Sequence, residues 1–172
     1  MRDALELLYR TSGRLAGFFL VAIAVLSLAQ IGGRLLGFAA HSFDEFAGYC
    51  MAASSFLGLA YTLRASEHIR MTLLLQRTRG SLRRALELAC LAVAVLLVAF
   101  FAWHAADMVW FSLVTHGVSQ GLVPVPLWIP QTGMALGLAI LLVALLDDLI
   151  IALAGGVPSY DRVGAGASTF ER

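Results

Sequence analysis

The sequence at residues 86–111 is LELACLAVAVLLVAFFAWHAADMVWF. It contains no charged residue between Glu87 and Asp107. A helix of about 20 mainly apolar residues is long enough to cross a hydrocarbon core about 30 Å thick. This stretch therefore predicts a membrane-spanning helix.

Three further apolar segments have the same character, at about 15–36, 43–63 and 127–153. Together they predict an all-α integral membrane protein with four transmembrane helices, formed by residues 1–154 as a single domain, with residues 155–172 as a cytoplasmic tail. A signal peptide is the competing interpretation of the first segment. Its apolar core would span only about 7–15 residues, whereas the apolar character here continues through Leu35 and Leu36, which favours a retained helix.

The composition argues against several classes of protein. Of the 172 residues, 60% are hydrophobic and 13% charged, against about 25% charged in a typical soluble domain, and the mean hydropathy is +0.84. Both a soluble enzyme and a disordered chain are therefore disfavoured, and a pI near 7.9 gives no reason to expect nucleic-acid binding. Cys50 and Cys90 are too far apart for a C-x-x-C redox or metal motif.

The arginines predict the orientation in the membrane. All 12 basic residues are arginine. If the N-terminus is inside, only Arg34 lies outside, and positively charged short loops are retained on the cytoplasmic side. Both termini are therefore predicted to be cytoplasmic. Three tryptophans fit an aromatic belt at the outer surface: Trp103, Trp110 and Trp128.

The connection between the second and third helices has a helical pattern of its own. Arg70, Arg77 and Arg84 recur every seven residues, which is close to two turns of an α-helix. Ile69 and residues 73–75 supply an apolar side. The pattern predicts a short amphipathic helix lying in the membrane interface, with its arginines at lipid headgroups.

Two acidic residues stand at the predicted outer start of the second helix. Asp44 and Glu45 are either placed there by favourable electrostatics at a helix N-terminus or contact another protein, and we favour the second explanation for Glu45. Arg64 lies near the other end of the helix, about 28 Å from Glu45 at 1.5 Å per residue, so these two residues cannot pair with each other.

Other polar groups within the predicted helices are few. His104 and Asp107 can meet on one helical face, as a local hydrogen-bonded pair or as a proton relay. Asp147 and Asp148 are expected to pair with Arg14, Arg83 or Arg84. No nucleophile with its base, metal cluster or phosphate-binding loop is evident. We therefore predict that the chain is not an enzyme and that it carries no catalytic, metal or cofactor site.

Small residues recur at the four-residue spacing that lets membrane helices pack closely. The spacing predicts that several helix faces contact protein rather than lipid. The pairs are Gly13 with Gly17, Gly48 with Ala52, Ser54 with Gly58, and Gly133 with Gly137.

One part of the sequence resembles a known family. Residues 44–49 read DEFAGY, residues 55–64 read SFLGLAYTLR and residues 67–71 read EHIRM. An acid at the start of the second helix, Phe-Leu-Gly in its middle, arginine near its end and His-Ile beyond it resemble the DctQ family. This family comprises the small permease subunits of tripartite ATP-independent periplasmic (TRAP) transporters. VPLWIP at residues 125–130 resembles it too, and the resemblance covers roughly residues 10 to 153.

The resemblance implies a role within a larger transporter. The small subunit would serve as a scaffold for a large permease subunit and help dock a periplasmic solute-binding protein. The complex would move organic acids such as dicarboxylates across the bacterial inner membrane, driven by a sodium gradient. The candidate subunit-interface residues are Asp44, Glu45, Arg64 and His68, and the substrate-binding residues are unknown.

Two alternatives belong to other classes. One is a membrane-anchor or cytochrome-like subunit of a respiratory enzyme, or a quinone-linked thiol oxidoreductase. Paired histidines on different helices, or pairs of cysteines in an outer loop, would support these. The other is an independent small channel or exporter, which solute movement by the purified chain alone would support.

Overall fold

The computed structural model describes residues 2–37, 42–64, 81–121 and 123–154. Four helices account for most of them: α1 (Arg2–Leu35), α2 (Phe43–Arg64), α3 (Ser81–Val114) and α4 (Trp128–Leu153). Each contains a segment long and apolar enough to cross a membrane. The described residues form no strand beyond one isolated bridge, which confirms the predicted all-α class with four spanning helices.

Other parts of the predicted architecture are not tested. The predicted interfacial helix between the second and third spans, and the tail at 155–172, lie outside the described residues. The orientation of the termini stays a prediction, because the helices alone do not define the two sides of a membrane.

Two helices are longer than their apolar segments. α1 begins at Arg2 rather than near residue 15 and continues without a break to Leu35. Residues 4–8 read ALELL, which are strong helix formers, and no glycine precedes Gly13. α3 likewise extends beyond 86–111 at both ends. Hydropathy identifies the part of a helix that can lie in lipid. The helix propensity of the flanking residues extends the helix beyond that part.

The helices pack in an order that differs from their order in the chain. α1 packs on α2, α2 packs on α4, and α4 packs on α3, whereas α1 barely touches α4. The pair α2–α4 therefore forms the centre of the fold. Because α1 and α3 each pack mainly on one neighbour, both leave broad faces exposed.

The core is built mainly from alanine and leucine side chains. One buried cluster joins α1, α2 and α4, and the first half of α3 packs against it. A second cluster lies between α1 and α2. The first consists of Tyr9, Ala60, Leu141, Ala144 and Leu145, and the second of Ala16, Ala53 and Leu57.

Two serine hydroxyls join α1 to α2. Ser12 Oγ donates a hydrogen bond to the Leu57 carbonyl oxygen at 2.5 Å, and Ser54 Oγ donates to the Ala16 carbonyl oxygen at 2.9 Å. Interhelical hydrogen bonds of this kind contribute about 0.6 kcal/mol each in membrane proteins. One bond is donated from α1 to α2 and the other from α2 to α1. Together they hold α1 at one position along the axis of α2.

Glycines let α4 approach α2. A Cβ atom on Gly137 would lie 2.6 Å from the Phe56 carbonyl oxygen, and one on Gly133 would lie 3.1 Å from the Ala53 Cβ. The prediction that Gly133 and Gly137 form a helix-packing face is confirmed. Gly17 and Gly48 differ, since a Cβ on either would meet no described atom within 4 Å.

Candidate functional site at the predicted outer end

The α3–α4 loop (residues 115–127) is an ordered hairpin-like turn, described except for Leu122. Val118 and Pro126 form an antiparallel bridge. The Ser119 amide donates to the Val125 carbonyl oxygen at 2.8 Å, and the Leu127 amide donates to the Gly117 carbonyl oxygen at 2.9 Å. These bonds give the loop a fixed shape at the end of the bundle where α2 begins.

Glu45 on α2 contacts this loop. Ser119 Oγ donates to Glu45 Oε1 at 3.4 Å, a long distance for a hydroxyl donor, since such bonds usually measure about 2.5–3.0 Å. Gly121 lies against the same carboxylate, and a Cβ atom at position 121 would overlap both carboxylate oxygens. The Gly121 amide also donates to Ser119 Oγ at 3.3 Å. Glu45 therefore ties the start of α2 to the α3–α4 loop.

The four candidate interface residues do not form one site in the described structure. Asp44 is exposed beside the half-buried Glu45, and both lie in the first turn of α2. Arg64 ends α2, but its side chain and the whole of His68 lie outside the described residues. Their assignment to a subunit interface stays a prediction.

Sequence reasoning missed the partners of Glu45. Ser119 and Gly121 are 74 and 76 positions away in the chain and belong to an ordinary-looking turn. The available signal was weak: the α3–α4 loop contains small residues and no arginine, in a connection predicted to share the membrane side of Glu45.

His104 and Asp107 do not form the predicted hydrogen-bonded pair. Both side chains are exposed, and no hydrogen bond or ion pair joins them within the described part of α3. The His104 ring packs edge-on against Phe100 instead, with ring centroids 4.4 Å apart. Side chains on a helix lean toward its N-terminus, which carries the imidazole toward Phe100 and away from Asp107.

Asp148 is the most deeply buried ionisable residue among those described, with 0% of its surface exposed. It follows Leu141 and Leu145 along the buried face of α4. Arg14 and Arg84, two of its three expected partners, form no ion pair with any described residue. The side chain of the third, Arg83, lies outside the described residues.

The described residues at the predicted outer end offer carboxylates, a serine hydroxyl and backbone groups. The described residues include no group of three or more His, Cys, Asp or Glu side chains that could hold a metal ion. The expectation that this chain carries no cofactor stays a prediction. This end presents a loop with internal backbone hydrogen bonds, one exposed carboxylate at Asp44 and one carboxylate, Glu45, in contact with the loop.

A family model matches most of the chain. The model of the DctQ component of tripartite ATP-independent periplasmic transporters matches residues 16–155. These residues include most of α1 and all of α2, α3 and α4. No curated protein matches the chain.

Proposed function

The chain belongs to the DctQ family of tripartite ATP-independent periplasmic transporter components, and we propose that it is the scaffold subunit of a transporter for organic acids such as dicarboxylates. The family makes it a multi-pass membrane component of a transporter rather than an enzyme. Its partners in this proposal are a large permease subunit and a periplasmic solute-binding protein. The complex would lie in the bacterial inner membrane, with both termini of this chain in the cytoplasm.

The observation that carries the scaffold role is the exposed face of α3. Side chains spaced three and four residues apart lie on one stripe of a helix, and this stripe faces away from the rest of the fold. Its members, all exposed, are Val93, Leu97, Phe100, His104, Asp107, Phe111 and Val114. We call it the α3 stripe.

The α3 stripe suits a protein partner better than lipid. It contains two ionisable residues, His104 and Asp107, and such groups in membrane helices almost always face protein or water. On α1, by contrast, the exposed side chains Phe18, Val21 and Val25 are all apolar. The large subunit would therefore pack on α3, and lipid would cover this part of α1.

The α3–α4 loop supports the docking role. Its backbone hydrogen bonds and its contact with Glu45 hold it in one shape, and a pre-formed surface loses little entropy on binding. Asp44 beside it is exposed and charged. In this proposal the loop and Asp44 face the binding protein, while the sodium gradient and the substrate act on the partner subunits.

Co-purification with the large subunit tests the proposal. Phe111 on the α3 stripe and Phe18 on α1 are each 67% exposed, so they form a matched pair. Phe111→Ala should cost about 1–2 kcal/mol of binding free energy, the range that separates the few energetically important interface residues from the near-neutral majority, and should lower the yield of co-purified large subunit. Phe18→Ala should leave that yield unchanged.

If Phe18→Ala lowers the yield and Phe111→Ala does not, the large subunit packs on α1 rather than on α3. If the wild-type chain fails to retain any large permease subunit, the scaffold role itself is contradicted. The respiratory-subunit alternative gains no support from the family match.

A further inference from the structure

A cavity of about 520 Å³ opens between α1 and α2, far from the α3–α4 loop. The described residues that line it are Arg10, Gly13, Arg14 and Tyr61. These residues lie near the start of α1 and the end of α2, which is the end of the bundle that the arginine distribution predicts to be cytoplasmic. No part of the proposed transport role uses this cavity.

Gly13 gives the cavity its shape. A Cβ atom on Gly13 would lie 2.7 Å from Tyr61 Cγ and Cδ2, so only glycine lets the tyrosine ring rest against the backbone of α1. Arg10, Gly13 and Arg14 follow one another closely along the helix, and residues four apart are neighbours on one helical surface. The ring and the two arginines therefore share one opening.

Among the described residues, the lining of the cavity is positively charged. Arg10 Nη2 donates to Glu6 Oε1 at 2.6 Å, and both side chains are more than half exposed. Arg14 is exposed and forms no hydrogen bond or ion pair with any described residue. A guanidinium group carries five N–H donors. Most of the donors on the two arginines thus remain available to an anion with several oxygens.

The surroundings favour an anion that carries hydrocarbon chains. On the face of α1 that holds Arg14, the next positions are Phe18, Val21 and Val25, which are 67%, 61% and 59% exposed. A phosphate bound by the arginines would place acyl chains directly along these apolar side chains. Free phosphate would gain only the polar contacts. We propose that this cavity binds the phosphate of an acidic phospholipid, with the lipid's acyl chains lying along α1.

Lipid titration of the full-length chain, followed by native mass spectrometry, tests the proposal. The titrants are phosphatidylglycerol and phosphatidylcholine with identical acyl chains, and the competitor is inorganic phosphate. The test variant is Arg10→Gln with Arg14→Gln. The control is Arg34→Gln, which removes one exposed arginine from the other end of the same helix.

The wild-type chain should bind phosphatidylglycerol at least about fivefold more tightly than phosphatidylcholine. Each arginine near an anionic membrane surface contributes about a fivefold change in affinity, so the double variant should bind phosphatidylglycerol about 25-fold more weakly. Arg34→Gln should behave as wild type. Arg14→Lys, which keeps the charge but not the planar set of donors, should bind more tightly than Arg14→Gln and more weakly than the wild type. Circular dichroism of the double variant shows whether it folds.

Three results would overturn the proposal. The first is equal affinity of the wild-type chain for the two lipids. The second is unchanged phosphatidylglycerol binding in a double variant with wild-type helical content by circular dichroism. The third is displacement of the lipid by millimolar inorganic phosphate, which would assign the cavity to a free phosphate instead.

Discussion

Gly137 on α4 lies directly against the backbone of Phe56 on α2, so that a methyl group on Gly137 would come within 2.6 Å of the Phe56 carbonyl oxygen. The Phe56 carbonyl group is part of the helix backbone and cannot rotate away from an added methyl group, as a flexible side chain could. This contact therefore sets how closely the central pair of helices can pack, and the positions of α1 and α3 follow from that pair.

Gly137→Ala should destabilise the protein by about 1–3 kcal/mol, the usual cost of an extra methyl group in a close-packed interior. The free energy of unfolding in detergent, measured by circular dichroism against added SDS, checks this. Gly17→Ala is the control, since its Cβ would meet no described atom within 4 Å. It should be neutral or stabilising by up to about 1 kcal/mol, because alanine favours helix over glycine. Equal effects of the two changes would mean that α2 and α4 do not approach as described.

The contact between Glu45 and Gly121 predicts a coupled pair of substitutions. Gly121→Ala should destabilise the fold, because the new methyl group overlaps the Glu45 carboxylate. In a Glu45→Ala background the same change should cost less, since the obstructing group is gone. A double-mutant cycle on the free energy of unfolding measures this difference, which for residues in contact is about 0.5–3 kcal/mol. Asp44→Ala, which removes the neighbouring exposed carboxylate, should give purely additive effects with Gly121→Ala.

Ser12→Ala should cost about 0.6 to 1.7 kcal/mol, the range for interhelical hydrogen bonds in membranes. Ser12 is 2% exposed and bonds across to α2. Thr11 is its matched control, because the Thr11 hydroxyl bonds only to the carbonyl oxygens of Leu7 and Leu8 within α1. Thr11→Ala should change the free energy of unfolding by less than Ser12→Ala. The reverse order would argue against the contact between α1 and α2.

The existence of the four helices could be predicted from sequence because hydrocarbon demands long apolar segments, and these are visible without knowledge of their neighbours. The packing face at Gly133 and Gly137 was visible for a similar reason, since close approach needs small residues at a fixed spacing. The partner of that face was not visible. Membrane helices have similar apolar surfaces, so nothing in the sequence indicates that α4 lies beside both α2 and α3.

The contacts of individual polar side chains were harder to predict. Glu45 is predicted from the sequence to contact another protein, and that stays a prediction. Gly121, which it meets within this chain, lies 76 positions further along and reaches it because the α3–α4 loop turns back toward the start of α2. His104 and Asp107 show the converse error. Their spacing allowed a pair, but the rotamer of His104 brings its ring to Phe100. Spacing defines which contacts are possible, and side-chain packing selects among them.

The arginine distribution predicts that Gln120 in the α3–α4 loop is outside the cell and that position 79 is inside. Single cysteines at these positions, in a chain with Cys50 and Cys90 replaced by serine, should differ in their reaction with an impermeant thiol reagent in intact cells. Gln120 is exposed, so Gln120→Cys should react at once. Arg79→Cys should react only after the cells are permeabilised. The reverse pattern would invert the topology.

Solute uptake by reconstituted vesicles tests whether this chain is a scaffold subunit or a transporter in its own right. Proteoliposomes are prepared with this chain alone, with the large permease subunit alone, and with both, each with the binding protein, an organic acid and an inward sodium gradient. Uptake is expected only when both membrane subunits are present, and none by this chain alone. Sodium-driven or sodium-independent uptake by this chain alone would contradict the account, because it would make the chain a transporter in its own right rather than the scaffold of one.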